Sequence, residues 1–172
     1  PDRRAAGLTR MTTVLEKYEA RIESGQLTPD PVQATAAAAL NDLEHRLANR
    51  KTGGWFSKTE AVTGLYMWGG VGRGKSMLMD LFIQTLGIRE KRRAHFHEFM
   101  LEVDRRIRER RESDPGDPTG KVARDIAQDV RCLAFDEMVV NNTADAAIMA
   151  RLFMALIRDQ GVTIVTTSNR PP

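Results

Sequence analysis

The chain has 172 residues, 41% apolar and 28% charged, enough for one ordinary domain with a sizeable core, or one core plus a helical extension; this balance excludes a disordered polypeptide. A net charge of +3 permits an anionic partner without demanding one, and no apolar run approaches the roughly 20 residues that cross a bilayer. The one cysteine, Cys132, excludes an internal disulfide and suits a reducing compartment; PDRRAAGLTRM carries no signal-like apolar core, so a cytoplasmic location is expected, with a cleaved organelle presequence as the alternative.

Along the chain, Leu8, Met11, Val14, Leu15, Tyr18 and Ile22 form a helical stripe over 8–24. SGQLTPDP stops that helix, and Asp30–Pro31 reads as the N-cap and first residue of another, running to about Arg50 with Leu40, Leu43 and Leu47 on its apolar face. Residues 1–50 are therefore expected as a helical N-terminal segment and 51–64 as a linker loop carrying Trp55 and Phe56. From 65 to 172 strands and helices alternate. LYMW (65–68), RAHFHEF (93–99), RCLAFDE (131–137) and GVTIVTTSN (161–169) read as strands. Helices are expected over 75–87, 100–111 and 144–160, with a short one in KVARDIAQDV. Such alternation predicts an α/β fold with a parallel sheet, whose ligands sit at the carboxyl ends of the strands.

The first of those ends is GGVGRGKS, residues 69–76, which fits G-x-x-x-x-G-K-[ST] between a strand and a helix. In the loop of Gly69, Gly70, Val71, Gly72, Arg73 and Gly74, the glycines let successive backbone N–H groups point inward around phosphate, where a Cβ at their positions would obstruct. The helix start at Lys75, Ser76 and Met77 adds partial positive charge. Lys75 can reach the β- and γ-phosphates of a bound triphosphate, and Ser76 Oγ can ligate Mg²⁺. A glycine-rich turn with a chance Lys-Ser is the bland alternative. The second end is CLAFDE: Asp136 is suited to the Mg²⁺ shell and Glu137 to polarising the attacking water. The third is TTSN, where Asn169 can orient that water or contact the γ-phosphate; alone, it also reads as a Ser-Asn turn before Pro171.

With these residues assembled, the chain resembles an AAA+ ATPase, and within that group the family of the bacterial cell-division ATPase ZapE and its mitochondrial relatives. The resemblance rests on GLYMWGGVGRGKSMLMDLF, KRRAHFHEFM, FDE followed by ADAAIMARLF, and TSNRPP, and spans about Tyr18 to Pro172. It implies that Gly69 to Ser76 are the Walker A loop, Asp136 and Glu137 the Walker B pair, and Asn169 the sensor-1 residue. It places the N-terminal segment near adenine, so that Gln33 can read the base edge, although a first-turn residue of no special duty fits Gln33 equally. It also implies a homo-oligomer and protein clients at the divisome or a membrane. The family continues past TSNRPP with another strand, interface arginines and a helical lid, so this chain is expected to be its front part, and Arg170 is too near the sensor strand to be assigned as the arginine finger. Asn142 replaces an acid of the family pattern.

Three further features have plainer readings. His95 and His97, two apart on a strand, share a face and could chelate zinc, but core packing is favoured. The basic runs REKRR (89–93) and RRIRERR (105–111) could hold nucleic acid, an anionic membrane surface or a subunit contact; a solvated helix face is favoured. The scattered methionines, Met77, Met79, Met149 and Met154 among them, are core filling. Against Mg²⁺-dependent ATP hydrolysis stand a P-loop kinase, a DNA-stimulated ATPase of the replication-loader type, and a nucleotide-gated binding module without turnover.

Overall fold

In the computed structural model the described residues are 12–50, 61–113, 116–140 and 143–171. Trp55, Phe56 and Asn142 lie outside them. Helix α1, Val14–Glu23, starts at a reciprocal cap: Thr13 Oγ1 accepts from the Glu16 N–H at 3.3 Å, and Glu16 Oε2 accepts from the Thr13 N–H at 3.0 Å. Helix α2, Pro31–Ala48, starts as its Asp-Pro pair predicts, with Asp30 Oδ1 accepting from the N–H groups of Val32 (2.8 Å) and Gln33 (3.3 Å). Glu44 of α2 is buried, and its Oε2 accepts from the Val14 N–H at 3.0 Å. One helix thereby satisfies a donor that the first turn of the other leaves open.

Four parallel strands follow: β1 Leu65–Trp68, β2 Lys91–His95, β3 Cys132–Asp136 and β4 Thr163–Ser168, in the spatial order β1-β4-β3-β2. Helix α3, Lys75–Thr85, carries the chain from β1 across to β2 at the far edge. Helices α4 (Phe96–Ser113) and α5 (Pro118–Asp129) return it to β3, and α6 (Thr143–Met154), continued by a π-helical turn over Ala155–Asp159, leads to β4. The turn splits the helix expected over 144–160. No helix among the described residues is long and apolar enough to cross a membrane.

The period-two alternation of β3 divides the core. Cys132 and Ala134 join Val14, Tyr18, Leu40, Leu43, Leu78 and Phe82, so α1, α2 and α3 share one apolar cluster with one face of the sheet. Leu133 and Phe135 join Phe99, Val103, Val122, Ile126 and Leu152 in the other cluster. The Phe135 ring lies 4.8 Å from that of Phe99 and 5.7 Å, edge-on, from that of Phe96. Burial pushes the Cys132 thiol up to about 12, against a smaller opposing effect of Lys91, so the thiol stays protonated and is no nucleophile.

One expected element is corrected. RAHFHEF is not a strand over 93–99: β2 ends at His95, and α4 begins at Phe96. The cause is the stripe Phe96, Phe99, Met100, Val103 and Ile107, all buried at helical spacing, which outweighs the short alternation H-F-H. His95 therefore ends a strand and His97 lies in the first turn of a helix, both exposed, and the shared strand face expected for a zinc-chelating pair is not formed.

The strand begins earlier than expected, so Lys91, Arg92 and Arg93 belong to β2, an edge strand where charge is tolerated. Lys91 Nζ donates to the carbonyls of Ile83 (2.7 Å) and Leu86 (2.6 Å) at the end of α3. Arg92 pairs with Glu102 and lies 5.6 Å from the Phe99 ring centre. Its hydrogen bond holds the Glu102 carboxyl below the usual carboxylate range, against the opposing effect of partial burial. Further on, Arg105 pairs with Glu109 (3.0 Å), Arg106 with Glu102 (2.6 Å), and Arg110 with Asp125. Much of both basic runs is thus engaged by the chain's own carboxylates.

Candidate functional site

Because the strands are parallel, the segments leaving β1, β3 and β4 emerge at one edge of the sheet. The Gly69 N–H donates to the Ser168 carbonyl at 3.2 Å, carrying the β1–β4 pairing into the first residue of the glycine loop. Gly69, Gly72 and Gly74 have φ of 153°, 77° and 78°, a region that disfavours other residues. Gly74 caps α3 without a side-chain hydrogen bond, so the first-turn N–H groups of the helix are left for an anion. A Cβ on Gly74 would stand 2.9 Å from Gln33 Nε2 and 3.1 Å from Gln33 Cδ, a side-chain tip that can shift, so the positive φ and not space is what calls for glycine here.

Lys75 folds back over the loop, its Nζ donating to the carbonyls of Gly69 (2.7 Å) and Gly70 (2.8 Å). Val71, Arg73 and Ser76 are exposed, and Met77 is half-buried. On one side of the loop, α2 and β1 enclose a largely apolar cavity of about 670 Å³. Val32, Gln33, Ala36, Tyr66, Trp68 and Lys75 are among the residues lining it. Gln33 Oε1 is buried in this wall with no hydrogen-bond partner among the described residues. An orphaned acceptor of that kind is costly unless a ligand uses it.

Asp136 ends β3 with only 7% of its surface exposed. Arg93 grips both carboxylate oxygens, Nε donating to Oδ2 at 2.7 Å and Nη2 to Oδ1 at 3.1 Å. The same guanidinium pairs with Asp80, one turn beyond Ser76 on α3, and Nη2 reaches the Ser76 carbonyl at 3.5 Å. Glu137 follows in the left-handed region, φ 52°, as the sole non-glycine residue with positive φ among the described residues. That conformation costs about 1–2 kcal/mol. Thr167 holds it there: Oγ1 accepts from the Glu137 N–H at 3.1 Å, and the Thr167 carbonyl accepts from the Met138 N–H at 2.9 Å. The Glu137 carboxylate is left exposed. Asn169, also exposed, comes two residues after Thr167, and the Arg170 carbonyl accepts from Tyr66 Oη at 3.0 Å.

The structure brings Gln33, Gly69, Gly70, Arg73 and Lys75 around one cavity. It links Ser76 to Asp136 through Arg93, and sets Glu137 and Asn169 at the adjoining strand ends. The donor chemistry suits Mg²⁺-ATP: uncapped amides and an ammonium for phosphate, a hydroxyl and a buried carboxylate already facing a cation for the metal. Arg93 and Asp80 were missed in the sequence, where Arg93 read as part of a basic run. Alternation was the available signal: Ala94 packs into the second cluster, which sends residue 93 to the opposite face, the side of α3.

Comparison with known proteins extends this picture. The model of the AFG1-like ATPase family matches residues 12–172. The chain is 36% identical over 177 residues to "Cell division protein ZapE" of Escherichia coli (strain K12), covering 93% of this chain and 46% of ZapE. It is 44% identical over 125 residues to "Lactation elevated protein 1 homolog B" of Danio rerio, covering 67% of this chain and 25% of that protein. The chain thus spans less than half the length of these curated relatives. Among solved structures, AMPPCP-bound DnaA from Aquifex aeolicus superposes with a TM-score of 0.58 at 13% identity, over 95% of this chain and 43% of DnaA. DnaI does so with a TM-score of 0.56 at 18% identity, over 86% and 71%. At such identities the likeness establishes the fold, an α/β P-loop architecture of the AAA+ type.

Proposed function

Since this chain belongs to the AFG1-like ATPase family, we propose that it binds Mg²⁺-ATP in the 69–76 loop, as a Walker A loop, and hydrolyses it to drive conformational work on protein partners. The observation that carries this reading is the conjunction of an uncapped α3 N-terminus behind three positive-φ glycines with a buried carboxylate, Asp136, joined to α3 through Arg93. Loop amides and Lys75 neutralise phosphate charge; Lys75 already spans the loop mouth and needs only to exchange carbonyl acceptors for phosphate oxygens. Ser76 Oγ and Asp136 would hold Mg²⁺, which when bound supplies charge neutralisation across the β- and γ-phosphates. Glu137 takes the proton of the attacking water, and Asn169 orients that water. The strain at Glu137 supports its role, because backbone held against its preference marks a side chain aimed for use.

Adenine fits the apolar cavity, with Gln33 Oε1 accepting from its exocyclic amine. Guanine presents an acceptor at that position and would leave Oε1 unpaired. Gln33→Ala is therefore expected to weaken ATP binding about tenfold, the worth of roughly one hydrogen bond to a buried group, and to narrow discrimination against GTP. Competition titrations with the two nucleotides read this; equal losses for both would remove Gln33 from base recognition.

One relative is by its printed name a cell division protein, which supports protein clients in the divisome; clients at a membrane, a cytoplasmic or mitochondrial setting and a homo-oligomeric state belong to the same proposal. The test is the ATPase rate per chain against protein concentration, with Mg²⁺. A rate rising with concentration supports a site completed between subunits. ATP bound without turnover at any concentration would instead make this chain a nucleotide-gated binding module.

A further inference from the structure

The ion pair between Arg93 and Asp136, at the end of β3, has a consequence for cation binding. Arg93, in the middle of β2, engages three carboxylate oxygens on two residues. It spends Nε and Nη2 on the two oxygens of Asp136, and the remaining nitrogen, Nη1, on Asp80. Its acceptors differ sharply in surroundings. The Asp136 side chain is 9% exposed and that of Asp80 is 51% exposed. The Asp136 contact is the bidentate, desolvated one, and the Asp80 contact is open to solvent, so the first is the stronger hold.

We propose that Arg93 is a cation-competing latch: a positioning residue that holds Asp136 in place and must yield it, wholly or in part, to a divalent cation, with Asp80 as its second seat. The inference rests on the reading of Asp136 as a Mg²⁺-shell residue. One electrostatic argument and two observations carry it. A guanidinium and a divalent cation on one carboxylate repel each other, so they compete even where lone pairs suffice for both. Asp80 lies at i+4 from Ser76, on the same face of α3, which keeps the released guanidinium within the site instead of sending it to solvent. Arg93 Nη2 also reaches the Ser76 carbonyl, so the latch ties the first turn of α3 to the end of β3. Cation binding would then be coupled to the spacing between the phosphate loop and the strand that carries Glu137.

The test uses the chain itself with a fluorescent ATP analogue. Nucleotide binding is titrated in EDTA, and the Mg²⁺ concentration giving half of the Mg²⁺-dependent gain is then measured. Mn²⁺ binding in the presence of ADP, followed by electron paramagnetic resonance, gives a readout independent of turnover. Arg93→Gln is expected to leave nucleotide binding in EDTA within about threefold of the parent chain, and to lower the half-saturating Mg²⁺ and Mn²⁺ concentrations about tenfold, the worth of one charge-assisted hydrogen bond. Asp80→Asn removes the second seat and tightens the hold on Asp136, so it is expected to raise both concentrations by roughly three- to tenfold. Shifts in opposite directions from two variants of one ion-pair network are the signature; a merely structural role predicts the same direction for both, or none. Should Arg93→Gln fail to fold, judged by its melting curve, Asp80→Asn decides alone: an unchanged or lowered cation requirement overturns the latch. Failure of the parent chain to bind nucleotide at all would instead overturn the functional reading on which the latch rests. Nucleotide binding with unshifted cation requirements would overturn the latch only.

Discussion

Lys75→Ala is expected to weaken Mg²⁺-ATP binding by two orders of magnitude or more while changing the melting temperature by only a few degrees. The two effects separate because the Lys75 ammonium meets different acceptors in each. In the chain alone it closes two hydrogen bonds to loop carbonyls, of Gly69 and Gly70, at a partly exposed site. Those carbonyls can turn to water when the side chain is removed, so the stability lost is about 1 kcal/mol, or roughly 2–4 °C for a domain of this size. Against a triphosphate the same ammonium would make charge-assisted bonds, each worth about 1.5–3 kcal/mol, and two of them would account for about 100-fold or more in affinity. Isothermal titration with ATP beside a thermal melt measures both. A large fall in melting temperature with affinity preserved would assign Lys75 to holding the loop and remove it from the phosphates.

Glu137→Gln is expected to bind ATP within about twofold of the parent chain and to lose 10²- to 10⁴-fold in turnover, the usual range for removal of a general base. Gln keeps the size of Glu and its left-handed backbone, and the anchoring bonds to Thr167 come from the main chain of residues 137 and 138, so the substitution alters charge with little else. The carboxylate is exposed and makes no contribution to either apolar cluster, which leaves stability essentially unmoved. Phosphate release measured beside fluorescent-nucleotide binding reads the two separately. Retained turnover in the Gln variant would remove Glu137 from its assigned role.

Much of this arrangement was legible from the sequence, and the reason is local. The loop 69–76 announces itself because each glycine answers a nearby backbone need, and Asp136 and Glu137 follow an apolar run buried at every position. The Asp30 cap was legible for the same reason: its acceptor and donors lie within three residues. What escaped was non-local or ambiguous. H-F-H-E-F fits a strand and a helix equally over five residues, and only Val103 and Ile107 further on decide for the helix. Arg93 reads as a surface charge because its partner Asp136 is 43 residues away, beside it only once β2 and β3 pair with His95 opposite Asp136. Gln33 can be suspected from likeness to a family, but its buried, unpartnered oxygen against the glycine loop is a fact of packing that no spacing encodes.

The two ends of α3 are treated unequally, and this bears on the field felt in the loop. Lys91 places its ammonium on the carbonyls of Ile83 and Leu86, covering the negative pole of the helix, while among the described residues no side chain caps the amides at its start. A helix with both poles bare partly cancels its own influence on a nearby anion. With the negative pole screened, the half-unit of positive charge at the other end acts nearly alone. Lys91, at the far end of α3, thereby works as a remote electrode, raising the potential at the loop without touching what the loop holds.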